Sequence, residues 1–123
     1  MKTALFALCC LLAAATLHAQ ELEIYVSDAG NFQNPPWQIL KFDGNGNNPE
    51  VFITQNLAWP QDILFLEAQD QVLVSNLNSG RIDRYDIETG AFIGIFDQNI
   101  SGPTRMKIGP DGLLYVLQWT GLG

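Results

Sequence analysis

The chain has 123 residues, with six Lys and Arg against thirteen Asp and Glu, a formal net charge of −7 and a single histidine. A chain this acidic lacks the basic footprint that displaces counterions from nucleic acid, so that class of partner is excluded, and an anionic membrane surface is disfavoured for the same reason. Hydrophobic residues make up 47% and no charge block or low-complexity tract occurs, which is the composition of a folded domain.

The first residues have the three parts of a secretory signal. Lys2 is the positive start, 5–17 (LFALCCLLAAATL) is a charge-free apolar run, and Leu17-His18-Ala19 offers a cut that makes Gln20 the new N-terminus. A cut after Ala15 is also compatible. The run is shorter than the ~20 residues a membrane-spanning helix needs, so no membrane span is expected. Leu8 and Cys9 are not the small residues of a lipoprotein box. Removal of 1–19 takes away Cys9, Cys10, His18 and Lys2. The mature chain, 20–123, is then expected to be secreted, periplasmic or extracellular, with no thiol and no histidine.

Beyond the signal, no window of ten residues has helical periodicity, and the elements in chain order are short strands. Residues 22–27, 38–42 and 51–54 form a first group. A second group spans 60–97. In it Ile63 and Phe65 alternate with more polar neighbours, 71–75 (QVLVS) is β-branched, 81–85 (RIDRY) has period two, and 91–96 (AFIGIF) follows. Residues 104–108 and 113–117 (LLYVL) form a third. Turn chemistry separates the strands at Gln69-Asp70, Asn78-Ser79-Gly80, Glu88-Thr89-Gly90 and Gly109-Pro110-Asp111-Gly112.

The groups are copies of one unit. Displaced by about 43 positions, the chain matches itself, within the range of propeller-blade repeats. Ile39 falls on Ile82, Asp43 on Asp86, and Gln55, Asn56 and Pro60 on Gln98, Asn99 and Pro103. Four antiparallel strands per repeat is a propeller blade. The expected fold is all-β: a partial β-propeller of about two and a half four-stranded antiparallel blades, ring not closed, after a signal peptide. Residues 20–58 hold a first partial blade without its innermost strand, 59–99 a complete blade, and 100–123 half a blade. A ring closes with ~4–8 blades, so missing C-terminal blades of the same protein are expected partners. Blades bury their faces on neighbours, and open edges template aggregation. The chain alone is expected to be weakly stable, oligomeric or aggregated.

The motif set, Pro-x-x-Ile/Met, then DGLLYV at 111–116, and GRIDRYDIETGAFIGIF at 80–96, resembles the NHL-type repeats of six-bladed propellers. It is also similar to the wider superfamily of gluconolactonases and streptogramin lyase. The resemblance covers nearly all of the mature chain and speaks to fold, because this scaffold hosts many functions. The gluconolactonase likeness implies a divalent cation held near the central channel by Glu, Asn and Asp oxygens. The lyase likeness implies a catalytic His with Mg²⁺. The mature chain offers no His for that role.

Strands alternate in direction, so loops joining second to third strands and loops joining successive blades share one side. Asp28, Asn76 and Gln118 begin the former loops at equivalent positions. They are oxygen donors suited to a hard cation, Ca²⁺ or Mg²⁺. Asp and Asn also end strands by bonding the turn that follows. The first of these loops, 28–37, is about five residues longer than its counterpart, and such insertions often mark a binding face. Phe32, Trp37, Trp59 and Trp119 fall on this rim. They could stack on a sugar or an aromatic ligand, or wedge between blades as core. Asp43-Gly-Asn45-Gly-Asn47 begins like a calcium loop but has Asn48 and Thr54 where Gly and Glu belong, so a hairpin is expected. Asp62 and Arg105 occupy equivalent positions and are read as an ion pair between blades. No serine has a histidine base and no zinc ligand set exists. Two functions remain. One is a binding scaffold for a protein or carbohydrate partner on the loop face. The other is part of a metal-dependent lactonase- or lyase-like enzyme completed by residues beyond Gly123.

Overall fold

The computed structural model describes residues 21–119. The signal peptide assigned to 1–19 lies outside the described residues. Among those described there is no α-helix, and no helix is long and apolar enough to cross a membrane.

The described chain forms three antiparallel sheets, none of them closed. β1 (Glu23–Asp28), β2 (Gln38–Asp43) and β3 (Glu50–Ile53) make the first. β4 (Pro60–Leu66), β5 (Gln71–Asn76), β6 (Arg81–Asp86) and β7 (Phe92–Asp97) make the second. β8 (Pro103–Ile108) and β9 (Leu114–Gln118) make the third. Each sheet is ordered as its strands occur in the chain. The strands lie where periodicity and turn chemistry place them. One local difference is a 3₁₀ turn at Glu67–Gln69, capped by Asp70 at φ 53°, in place of a simple turn at Gln69-Asp70.

The second sheet is covered on both faces. Strand alternation sends Val72 and Val74 one way and Leu73 the other. Val72 and Val74 join Ile39, Ile53, Leu57 and Tyr85 in one buried cluster, which Tyr25, Phe52 and Phe65 border. Leu73 joins Ile82 and Met106 in another, bordered by Leu64, Leu114 and Val116. Every residue of Val72–Asn76 is therefore buried.

Hydrogen bonds also stitch sheet to sheet at repeated positions. The Ser27 hydroxyl donates to the Pro60 carbonyl at 2.7 Å. One repeat on, the Ser75 hydroxyl donates to the Thr104 carbonyl at 2.5 Å. Asp62 crosses the same junction by accepting the Met106 N–H at 2.7 Å. The expected ion pair between Asp62 and Arg105 is corrected by this contact. A buried backbone donor requires an acceptor more than an exposed guanidinium does. Among the described residues, the salt bridges are Lys41–Glu23 and Arg81–Asp83.

Two aspartates a repeat apart build the hairpins at the other end. Asp43 accepts the N–H groups of Asn45 and Asn47 and the Asn48 amide. Asp86 accepts the N–H groups of Glu88 and Thr89 and the Thr89 hydroxyl. These bonds hold both carboxyls below the usual carboxylate range. The calcium-like run at 43–47 is accordingly a hairpin.

The outer flanks of the stack are uncovered. On β1, Tyr25 points to the cluster and Ile24 and Val26 point away, exposed. On β9, Leu114 and Val116 point inward, while Tyr115 and Leu117 are exposed.

Candidate functional site

The loops 29–37, 54–59, 77–80 and 98–102 converge at one end of the three sheets. Backbone bonds hold them together. Leu77 N–H donates to the Trp59 carbonyl at 3.2 Å, Asn78 to Ala58 at 3.1 Å, Ile100 to Gly80 at 3.0 Å and Trp119 to Gly102 at 2.7 Å. None of these loop residues is charged, although Asp28, Arg81 and Asp97 stand at the strand ends that flank them. Of the thirteen acids, all but Asp28, Asp62, Asp83 and Asp97 lie at the opposite end, on the turns and strand starts there.

The structure brings the four predicted rim aromatics together. The Trp37 indole N–H donates to the Phe32 carbonyl at 2.8 Å. Phe32 meets Trp59 edge-to-face with ring centroids 5.9 Å apart, and Trp59 meets Trp119 in the same manner at 6.3 Å. Phe32 is 64% exposed and Trp119 56% exposed. Trp37 borders the first cluster, while Trp59 and Trp119 belong to neither. Trp59 is half-buried between the rings of Phe32 and Trp119, so the three form a ladder from the loop of the first sheet to the end of the third.

Backbone strain accompanies the ladder. Phe32 has φ 46° and Trp59 φ 53°. Bulky side chains are rare in this left-handed region, and such strain persists only where surrounding structure enforces it.

The three oxygen donors proposed for a cation have different surroundings. Asp28 is partly exposed and accepts the Gly30 N–H at 2.8 Å and the Gln38 amide at 3.0 Å. The Gln38 bond first, then the Gly30 bond, lowers its pKa. Asn76 is fully buried. Its oxygen accepts the Ala58 N–H at 2.9 Å and its amide donates to Asp83 at 2.9 Å. Gln118 ends β9 and is exposed. Each of the first two is thus engaged in a local turn or a buried link. No cluster of three or more His, Cys, Asp or Glu with metal-binding spacing occurs among the described residues.

Asn76 belongs to a polar network that sequence reasoning missed. Asp83 is buried, accepts from Asn76, and pairs with Arg81 at 3.2 Å. Its second oxygen, Oδ1, has no protein partner. Burial raises its pKa, with the Arg81 charge and the Arg81 and Asn76 hydrogen bonds opposing. Period-two alternation in 81–85 marks a strand but carries no sign that Asp83 is buried, which follows from the covering of both faces of the second sheet.

At the acidic end an open cleft of ≈ 670 Å³ is lined by residues that include Glu23, Tyr25, Lys41, Glu67 and Glu88. Burial first, then the Glu23 hydrogen bond, pushes the Tyr25 phenol up to about 12.

No protein-family model matches this chain, and no curated protein matches it.

Proposed function

We propose that the chain is a segment of an exported, NHL-like β-propeller that serves as a binding scaffold through its loop face. The single observation that carries the binding reading is the aromatic ladder Phe32–Trp59–Trp119, whose two end rings are exposed among loops without charged residues. Exposed contiguous apolar surface of this kind marks interaction sites. The propeller reading draws support from the repeat near 43 positions and from the four-stranded middle sheet flanked on both faces. The serine links at Ser27 and Ser75 recur between successive sheets and add to it. Export rests on the signal-like start of the sequence, and a cell fraction carrying a product that begins at Gln20 would establish it. In this reading the partner is a protein or a carbohydrate, and further blades complete the ring.

The test is partner capture on the folded chain, with proline-rich peptides and neutral oligosaccharides as probes. Binding is expected to be lost in Trp119→Ala and kept in Glu88→Ala, which alters the opposite end. Binding that ignores Trp119 and depends on the acidic end would overturn the assignment of the face.

A further inference from the structure

We infer that the loop face is a site for a neutral glycan, with Phe32, Trp59 and Trp119 as its stacking platform. This rests on the loop-face binding reading and narrows it to one ligand class.

Charge carries the first step. The converging loops contain no Asp, Glu, Lys or Arg, although the chain as a whole has thirteen acids and six bases. A charged ligand would find no counter-charge in the loops themselves, only Asp28, Arg81 and Asp97, of mixed sign, at the strand ends that flank them. What the loops offer instead is amides. Gln33, Asn34, Asn56, Asn99 and Gln118 are all exposed in or next to these loops. A carboxamide both donates and accepts, which matches a hydroxyl that does the same. A neutral polyol is the ligand that needs direction from its partners and no charge.

Ring chemistry carries the second step. The face of an aromatic ring is negative and attracts weakly positive C–H groups. A pyranose presents one face of C–H bonds and an equator of hydroxyls. The ladder supplies the rings, and the amides lie in or next to the same loops. Successive rings meet at 5.9 and 6.3 Å with their planes inclined by 73°, so each presents its face in a different direction. The first and last rings each leave more than half of their surface free.

The third step is the placement of Trp59. Its repeat partner is Gly102, and both have left-handed backbone, φ 53° and 55°. The fold accepts glycine here, as the second copy demonstrates. A tryptophan at this position brings strain that packing alone does not require, and it places the middle ring of the platform.

All three tryptophans of the chain sit on this face, so their fluorescence reports on it directly. The full chain is titrated with cellohexaose, xylohexaose and, as a charged control, a galacturonic acid hexamer. At least one neutral hexamer is expected to give a saturable fluorescence change with a midpoint of about 1 mM. Trp119→Ala and Phe32→Ala should each weaken it by about tenfold, while Glu88→Ala retains it. Both truncated side chains are exposed, so circular dichroism should match the parent. Three results would overturn the inference: no saturable change with either neutral hexamer up to about 10 mM, equal binding of the charged hexamer, or indifference to Phe32 and Trp119. A proline-rich peptide library separates the two levels. If peptides bind in a Trp119-dependent way while sugars do not, the glycan assignment falls and the loop-face reading stands. If neither class binds, both fall.

Discussion

Trp59 and Gly102 hold the same place one repeat apart and share the same left-handed backbone, φ 53° and 55°. A Cβ added at Gly102 would run into the Trp119 carbonyl, whereas the fold at Trp59 leaves room for an indole. The two positions are therefore expected to respond in opposite ways.

Gly102→Ala should destabilise by ~1–3 kcal/mol, the scale of an enforced strained backbone. Trp59→Gly relieves left-handed strain of ~1–2 kcal/mol and gives up two edge-to-face pairs of ~0.5–1.5 kcal/mol each. With the burial of a half-buried indole also lost, its net cost should still stay below the ~3–5 kcal/mol usual for removing a large aromatic. Urea unfolding monitored by circular dichroism reads both. A tolerant Gly102 or a severe Trp59→Gly would contradict the strain argument.

The serine stitches differ in how many groups depend on them. Ser75 is buried, donates to the Thr104 carbonyl and accepts the Asp62 N–H. Ser27 is only partly buried and makes the single bond to Pro60. Removing a buried partner leaves donor and acceptor unsatisfied, so Ser75→Ala should cost ~1–3 kcal/mol and Ser27→Ala ~0.5–1.5 kcal/mol. Equal costs in denaturant titrations would show that the second bond of Ser75 has no energetic weight.

Asp83 sets a pH dependence of known sign. Its folded pKa is raised, chiefly by burial, so the folded state holds its proton more tightly than the unfolded chain does. The wild type is thus least penalised below the unfolded value and loses this contribution as pH climbs through the raised one. Asp83→Asn removes that slope. The depressed carboxyls at Asp43 and Asp86 weaken both proteins alike as pH falls, so they cancel in the comparison. The stability of Asp83→Asn relative to wild type should accordingly be greater at pH 7 than at pH 4. The reverse order, measured by thermal or urea unfolding, would mean that the Arg81 pair outweighs desolvation.

The uncovered flanks predict association. Ile24 and Val26 on one side and Tyr115 and Leu117 on the other are exposed on opposite outer faces of the stack. Leu117 stands where Ser27 and Ser75 stand in the earlier copies, so the last flank offers an apolar side chain in place of a hydroxyl. Light scattering after size exclusion should find species above monomer mass. Ile24→Lys combined with Leu117→Lys should shift them toward monomer, because charge on an exposed sheet blocks pairing. A monodisperse wild-type monomer would refute this expectation.

Much of the architecture was legible before any coordinates. Strand positions follow from period-two patterning and from Gly, Asn, Asp and Pro in the turns, which act locally. The gathering of Phe32, Trp37, Trp59 and Trp119 on one side also follows, since alternating strand direction fixes which loops share an end. Asp43 and Asp86 were readable as hairpin builders because their hydrogen bonds reach only a few residues along the chain.

Other features had no local signal. The carboxylate of Asp62 was read as the partner of Arg105 and instead caps the Met106 amide. Asp83 was read as part of an ordinary alternating strand and is instead buried. Asn76, set down as a rim oxygen, is buried too and links Ala58 to Asp83. In each case the deciding contact comes from a segment far along the chain or from a sheet that covers the face. Sequence by itself determined the strands, the turns and the side on which the aromatic residues gather, because backbone geometry and turn chemistry depend on near neighbours. Only the tertiary structure decided which polar groups are already satisfied and which rings stay exposed, because burial is a property of what packs against a residue and not of the residue alone.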